Sequence, residues 1–297
     1  APVGPVNYAT QHICIGRGLA AIRTKEVIKK DFLFYLLKSQ EGKIKGNGGA
    51  VFDSISRNQI EAIKIPLPPL SIQQEIVAEI EQYQKIIDGA KMVVENYKPK
   101  IDIDPEWEMV ELGEFVIFNQ TGLVKNKTEQ GEENNYYYLK MDGITYEGQL
   151  DLTKLVKVNA TAEEFEKYTL TKDDFLYNTR NTPELVGKST VFNYESGKYL
   201  FNNNIMRIRF NEKLNPYFAN YVLNLDDYKR QVRSFVDGTT SVAALYPKNY
   251  FSVKIPVPNN KIQNGIVFRI EKEQELVNAN KQLIEIFEQK IKDRIAK

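Results

Sequence analysis

Residues 63–70 read Ile63-Lys64-Ile65-Pro66-Leu67-Pro68-Pro69-Leu70 and run on as SIQQEIVAEIEQYQKIIDGAKMVVENYK to Lys98. The prolines fix φ and remove backbone donors, so this opening stays extended and no helix starts ahead of it. Beyond it, apolar residues fall at Ile76, Ile80, Tyr83, Ile87, Ala90, Val94 and Tyr97. The steps alternate between four and three residues, which is a heptad seam. Ser71 is the expected N-cap, with Gln74 at capping-box spacing. Pro99 stops the pattern, and KPKIDIDPE at 98–106 reads as a polar linker. A helix of about 30 residues is about 45 Å long at 1.5 Å per residue.

The motif returns 190 residues later as VKIPVPNNKIQNGIV at 253–267. Ile72-Gln73 matches Ile262-Gln263, Ile76-Val77 matches Ile266-Val267, and Ile80-Glu81 matches Ile270-Glu271. The second seam holds Ile266, Ile270, Glu273, Val277, Asn280, Ile284, Phe287 and Ile291, behind a cap at Asn260 with Gln263. Asn280 either sets the register of a coiled coil or sits at a frayed contact. Upstream the offset becomes 186: Ile22-Arg23 matches Ile208-Arg209, and Tyr35-Leu36-Leu37 matches Tyr221-Val222-Leu223. The period is far too long for a solenoid, so it marks two copies of a domain-plus-helix unit. Two homologous seams are expected to pack on each other. Copy two begins near Trp107. Copy one begins opposite the middle of copy two's globular part, with Val3-Gly4 aligning on Val186-Gly187, so its front portion is expected to be missing. The expected division is a partial globular domain at 1–66, a helix and linker at 67–106, a full domain at 107–255 and a second helix at 256–297.

The globular parts read as mixed α/β. Phe115–Phe118, Tyr136–Leu139, Thr190–Phe192 and Ile205–Phe210 are β-prone. The last alternates apolar and basic residues, as a half-exposed strand does. Asn215–Leu225 is helical. Copy one retains equivalents of these last two elements at Leu19–Arg23 and Asp31–Ser39.

Composition removes several function classes. The 297 residues include one cysteine (Cys14) and one histidine (His12), too few for a structural zinc site. No apolar run reaches membrane-spanning length and no signal-peptide pattern is present, so a cytoplasmic location without membrane association is expected. The sequence has no phosphate-binding GxxxxGK[ST], no GxGxxG after a strand, no GxSxG elbow, no HExxH, and none of the NPPY-type motif of amino-methyltransferases. Gly16-Arg17-Gly18 reads as a tight turn, and Glu163-Glu164 and Asp173-Asp174 read as solvated charges. No catalytic residue, metal or cofactor is expected.

The IKIPLPPLSIQQEIV run before a long helix, CIGRGLAAIR upstream, the second copy VKIPVPNNKIQNGIV and WEMVELGEF after the linker resemble the specificity subunits of type I restriction–modification enzymes. The resemblance covers essentially the whole chain. It implies two target-recognition domains, each reading half of a bipartite duplex DNA target. It also implies an antiparallel coiled coil of the two conserved helices that acts as a spacer ruler. The conserved regions would dock two modification subunits, which carry methyl transfer, and through them the restriction subunits. The subunit itself would be non-catalytic. A coiled-coil protein-interaction scaffold without direct DNA readout is the alternative.

Charge sharpens the DNA reading. Lys and Arg total 40 against 39 Asp and Glu. Residues 1–66 hold 10 against 5, a balance of +5, whereas 107–255 hold 18 against 20, a balance of −2. Phosphate neutralisation dominates non-specific binding, so the second domain needs a locally basic face or help from partners. Base edges in the major groove are read by Arg, Lys, Asn and Gln. Loop candidates in copy two are Asn119, Gln120, Lys125, Asn126 and Lys127, then Arg180, Asn181 and Lys188, then Thr239 and Thr240. Copy one offers Arg17, Lys43, Lys45 and Asn47. The Arg180–Lys188 loop is the strongest of these. Tyr136, Tyr137 and Tyr138 are expected to pack alternate rings into a core rather than stack on bases.

Overall fold

The structure, a computed structural model, describes residues 3–42, 44, 54–195, 197–238 and 243–296. The chain divides into two compact units: Lys98–Glu273, and Ala1–Tyr97 together with Gln274–Lys297. The second unit begins with helices α1 (Lys30–Ser39), α2 (Arg57–Glu61) and α3 (Leu70–Asn96). The Lys98–Glu273 unit then runs β1 (Met109–Glu111), β2 (Val116–Thr121), β3 (Tyr136–Leu139), β4 (Val156–Val158), α4 (Ala162–Tyr168), β5 (Phe175–Asn178) and β6 (Arg180–Asn181). It continues with β7 (Ser189–Val191), β8 (Tyr199–Phe201), β9 (Ile205–Phe210), α5 (Pro216–Leu223), α6 (Asp226–Ser234), β10 (Ala243–Ala244), α7 (Pro247–Phe251) and β11 (Lys254–Pro256). Helix α8 (Asn260–Ala296) gives its first part to this unit and the rest, from Gln274, to the other.

Within Lys98–Glu273 the main sheet has the order β2-β9-β5-β7, antiparallel throughout. A second sheet, β4-β3-β8, pairs β3 parallel to β8. Side chains alternate across a strand, and β5 feeds two cores accordingly. Phe175 and Tyr177 join Ile208, Phe218, Val222 and Ile255 on one face, while Leu176 joins Leu139, Phe201 and Ile205 on the other. Helix α5 starts as the sequence dictates: Asn215 Oδ1 accepts from the Tyr217 and Phe218 amides, and Pro216 occupies the first turn. Of the three tyrosines of β3, Tyr138 is in a core, Tyr136 packs on Phe165 and Tyr137 stacks on Tyr199.

Two readings from composition need correcting. Strand β9 is not half exposed at Arg207, which is buried between the rings of Phe118 and Phe201. Its Nη1 donates to the Thr169 carbonyl and its Nη2 to the Lys167 carbonyl and Gln120 Oε1, while its buried Nε has no hydrogen-bond partner. Asp174 is likewise no solvated charge. It is buried, its Oδ1 accepts from Arg209 Nε at 2.6 Å, and Arg207 lies 3.6 Å away. Two guanidiniums more than balance the one buried carboxylate, and the surplus positive charge rests on Arg209, whose side chain is 41% exposed.

In the other unit, Phe32 and Leu36 of α1 pack on Ile76 and Ile80 of α3 and Ile295 of α8. The helices α3 and α8 run antiparallel, because the start of one meets the end of the other. Arg294 Nε donates to Glu79 Oε2 at 2.5 Å, and the Tyr83 and Phe287 rings are 5.2 Å apart. The predicted seam is the buried line: Ile76, Ile80, Ile87, Ala90 and Val277 are buried, and Tyr83, Val94, Ile284, Phe287 and Ile291 half-buried. Asn280 Nδ2 donates to Leu276 O of its own helix. Ile266 and Ile270 belong instead to the globular core of Lys98–Glu273, so the second seam serves two surfaces in succession.

The flanks of this seam differ. Lys91 and Glu288 face each other across one flank, 3.6 Å apart. On the opposite flank one heptad position of α3 holds Ile72, Glu79, Ile86 and Val93, with Glu79 paired to Arg294, and the same position of α8 holds Leu276 and Leu283. Ile86, Val93 and Leu276 are exposed.

The helix caps also depart from the capping-box expectation. Helix α3 starts at Leu70 with no side-chain cap, and α8 is capped by Asn259 Oδ1, which accepts from the Ile262 amide at 3.1 Å. The glutamine after each proline run turns inward. Gln73 is fully buried: its Nε2 donates to Pro68 O and Val27 O, and its Oε1 accepts from the Lys29 amide. Gln263 repeats this with Pro258 O, Lys213 O and the Asn215 amide. These partners correspond at the same offsets of 190 and 186 that the sequence carries. Leu19–Arg23, the equivalent of β9, has no regular secondary structure, and Leu19 and Ile22 are exposed. A strand needs a partner, and the described residues of its unit supply none.

Candidate nucleic-acid interface

The Arg180–Lys188 loop is built on one buried side chain. Asn178 Nδ2 donates to Arg180 O at 2.9 Å and to Asn204 O at 2.8 Å, and its Oδ1 accepts from Asn181 Nδ2 at 2.8 Å. The loop closes where the Gly187 amide donates to Asn178 O. Gly187 has φ +85°, and a Cβ there would lie 2.6 Å from Val232 Cγ1, so only glycine lets the loop press on α6. Arg180 pairs with Ala244 in the β6–β10 ladder and leaves its side chain exposed. Asn181 is engaged with Asn178 and accepts from the Thr182 amide. Lys188 turns inward, donating to Met141 O at 3.0 Å and to Ile144 O, and burial lowers its pKa.

The remaining candidates sort by what already holds them. Asn119 is exposed on β2, while Gln120 is tied to Arg207. Lys125 is mostly buried between Glu164 at 3.1 Å and Glu129 at 3.6 Å. Asn126 and Lys127 are exposed in a turn that Glu129 caps, through the Asn126 amide at 2.8 Å. Arg17 is exposed at a turn closed by Leu19 N donating to Gly16 O. Lys43, Lys45, Asn47, Thr239 and Thr240 lie outside the described residues.

A feature the candidate residues omit lies beside the loop. Residues 144–150 form a hairpin, with Ile144 bridging Leu150 and Gly148 at φ +79° in the turn. Tyr146 at its tip is 39% exposed. Lys229 Nζ sits 4.0 Å from the Tyr146 ring centroid and donates to Tyr146 O at 2.7 Å. Arg233 Nη2 donates to Tyr146 Oη at 2.5 Å. With Lys188 on Met141 and Ile144, three cations grip one loop. The signal in the sequence is the basic pair Lys229 and Arg233, four apart on a short helix and hence on one face.

No group of three His, Cys, Asp or Glu able to hold a metal occurs among the described residues, and none of their helices is long and apolar enough to cross a membrane. A cavity of about 430 Å³ near the start of α8 is lined by Lys172, Asp173, Asp174, Arg209, Glu212, Asn215 and Asn264; Asp173 accepts from Tyr217, Asp174 from Arg209 and Asn264 from Asn215.

Comparison with known proteins places these features. The profile of the type I restriction modification DNA specificity domain matches residues 1–95 and again 105–289, one match for each copy of the repeat. The MjaX specificity subunit of a type I restriction enzyme, as named in Methanocaldococcus jannaschii, is 43% identical over 106 residues, covering 34% of this chain and 25% of that protein. A type I restriction enzyme specificity subunit named S.HindORF215P in Haemophilus influenzae is 24% identical over 293 residues, 92% of this chain and 70% of that protein. In fold, the chain is similar to the crystal structure of a type I restriction-modification S subunit from M. genitalium. The TM-score is 0.54 at 16% identity, covering 91% of this chain and 73% of that one.

Proposed function

The chain belongs to the type I restriction modification DNA specificity family, and on that premise we propose that it is the sequence-reading, non-catalytic subunit of a cytoplasmic type I restriction–modification complex. In this reading 107–255 is a target-recognition domain, 1–66 is part of another, and 67–106 with 256–297 supply the spacer helices. Each recognition domain takes one half of a bipartite duplex target. One observation carries the reading most: Gln73 and Gln263 make matching hydrogen bonds at repeat-equivalent positions, so the chain holds two versions of one unit. Two versions of one reader suit a target in two halves.

Arg180, Asn119, Asn126, Lys127 and Arg17 are the base- or phosphate-contacting candidates with side chains presented to solvent. Lys188, Asn181, Gln120 and Lys125 act behind them by fixing loops. The apolar flank of the α3–α8 pair supports docking of modification subunits. Flanking positions of a two-helix coiled coil normally carry charge, and Ile86, Val93 and Leu276 are instead exposed apolar residues that further helices would cover. Modification subunits would also add the phosphate contacts that a domain of balance −2 lacks.

Gel shift on the methylated motif, identified by methylome sequencing with and without the gene, tests the whole. The chain alone should bind weakly, and added modification subunits should tighten binding and confer specificity. Arg180→Ala should impair binding and leave assembly intact. Loss of assembly instead, or no duplex binding by the assembled complex, would favour a protein scaffold.

A further inference from the structure

We infer that Tyr146, Lys229 and Arg233 form a seat for a backbone phosphate of duplex DNA, a contact that rests on the DNA-reading role proposed above. The donors converge. Arg233 donates to Tyr146 Oη, so that oxygen accepts and its own hydrogen remains for another acceptor. Lys229 spends one of its three hydrogens on Tyr146 O. A hydroxyl, a guanidinium and an ammonium grouped at one exposed hairpin tip are the donor set that takes a phosphate oxygen.

The surroundings fix the class of ligand. The crevice beneath, lined by Val186, Gly187, Leu223 and Val232, offers only about 20 Å³, room for about one water. A base therefore does not enter, and the ligand stays at the mouth, on the donors. Gly187 closes the Arg180–Lys188 loop against α6 here, so phosphate seat and proposed reading loop share one wall. Glu184 lines the same crevice. Its carboxyl is held below the ordinary range by its own backbone amide, by the Thr182 hydroxyl and by Arg233. It is a resident anion that competes with an incoming phosphate.

The test uses the chain assembled with its modification subunits and a duplex library with a randomised core, titrated over a salt series. Lys229→Ala and Arg233→Ala should each weaken binding to all bound sequences alike, and together they should reduce the salt slope by about one, as loss of one phosphate contact does. Tyr146→Phe, which keeps the ring and the charge but removes the hydroxyl that accepts from Arg233 and offers its own hydrogen, should weaken binding without changing the slope. Glu184→Gln should tighten binding. Size-exclusion profiles of all variants should match the parent. If the parent complex binds and these variants bind equally well with unchanged slope, the seat is wrong and the recognition role stands. Loss confined to some sequences would make the cluster a base reader and also overturn the seat. A parent complex that binds no duplex overturns both.

Discussion

Gln73 and Gln263 each close three hydrogen bonds from a fully buried amide, tying the proline run before the long helix to the chain just ahead of α1 and of α5 respectively. An amide that can donate twice and accept at once is needed, and leucine of similar size offers neither. Gln73→Leu or Gln263→Leu leaves a buried amide and two carbonyls without partners, at about 1–3 kcal/mol for an orphaned group. Urea unfolding of each variant should show a lower midpoint at unchanged slope. An unchanged midpoint would mean water replaces the amide. The alignment of these glutamines is legible in sequence, but their role is not. The helix-capping rule assigned Gln263 to a cap and put Gln74 rather than Gln73 in that role. Residue patterns along one strand of chain do not show which distant carbonyls come within reach.

At the scale of elements, the α3–α8 pair was readable because a heptad seam has one geometric consequence, burial of that line against another helix. What closes it is local chemistry the seam does not encode. The Glu79 carboxyl is held below its ordinary pKa by the Tyr83 hydroxyl and then by Arg294. A depressed carboxyl contributes stability above its unfolded pKa and loses it as pH falls through the folded value. Thermal melts should therefore show the helix pair loosening on acidification below the ordinary glutamate range, and Glu79→Gln should flatten that response. The exposed flank makes a second prediction. Leu276→Lys changes a solvent-facing position, so stability should stay within about 0.5 kcal/mol. Co-purification with modification subunits should nevertheless fall sharply, and undiminished capture would remove the flank from the docking surface. Strand β9 shows the limit of periodicity: Arg207 and Arg209 alternate with apolar residues as a surface strand does, yet Arg207 lies between two rings.

For the whole molecule, the proposed ruler makes a prediction that belongs to no single residue. One heptad inserted in α3 and one in α8 should leave the chain folded and shift the spacer tolerated between half-sites, read by methylome sequencing of cells carrying the variant. An unchanged spacer would sink the ruler. The sequence by itself determined that the chain contains two copies of one unit, that each ends in a long seamed helix, and that it holds one cysteine and one histidine. These follow from period, proline placement and residue counts, which are properties of order along the chain. Only the tertiary structure decided that the two helices meet head to tail, that Lys188 and Lys125 turn inward, and that Tyr146, Lys229 and Arg233 converge on one hairpin tip. Residues 83 and 87 positions apart became neighbours there. Such proximity comes from how sheets and helices pack, and no local rule of composition or spacing carries it.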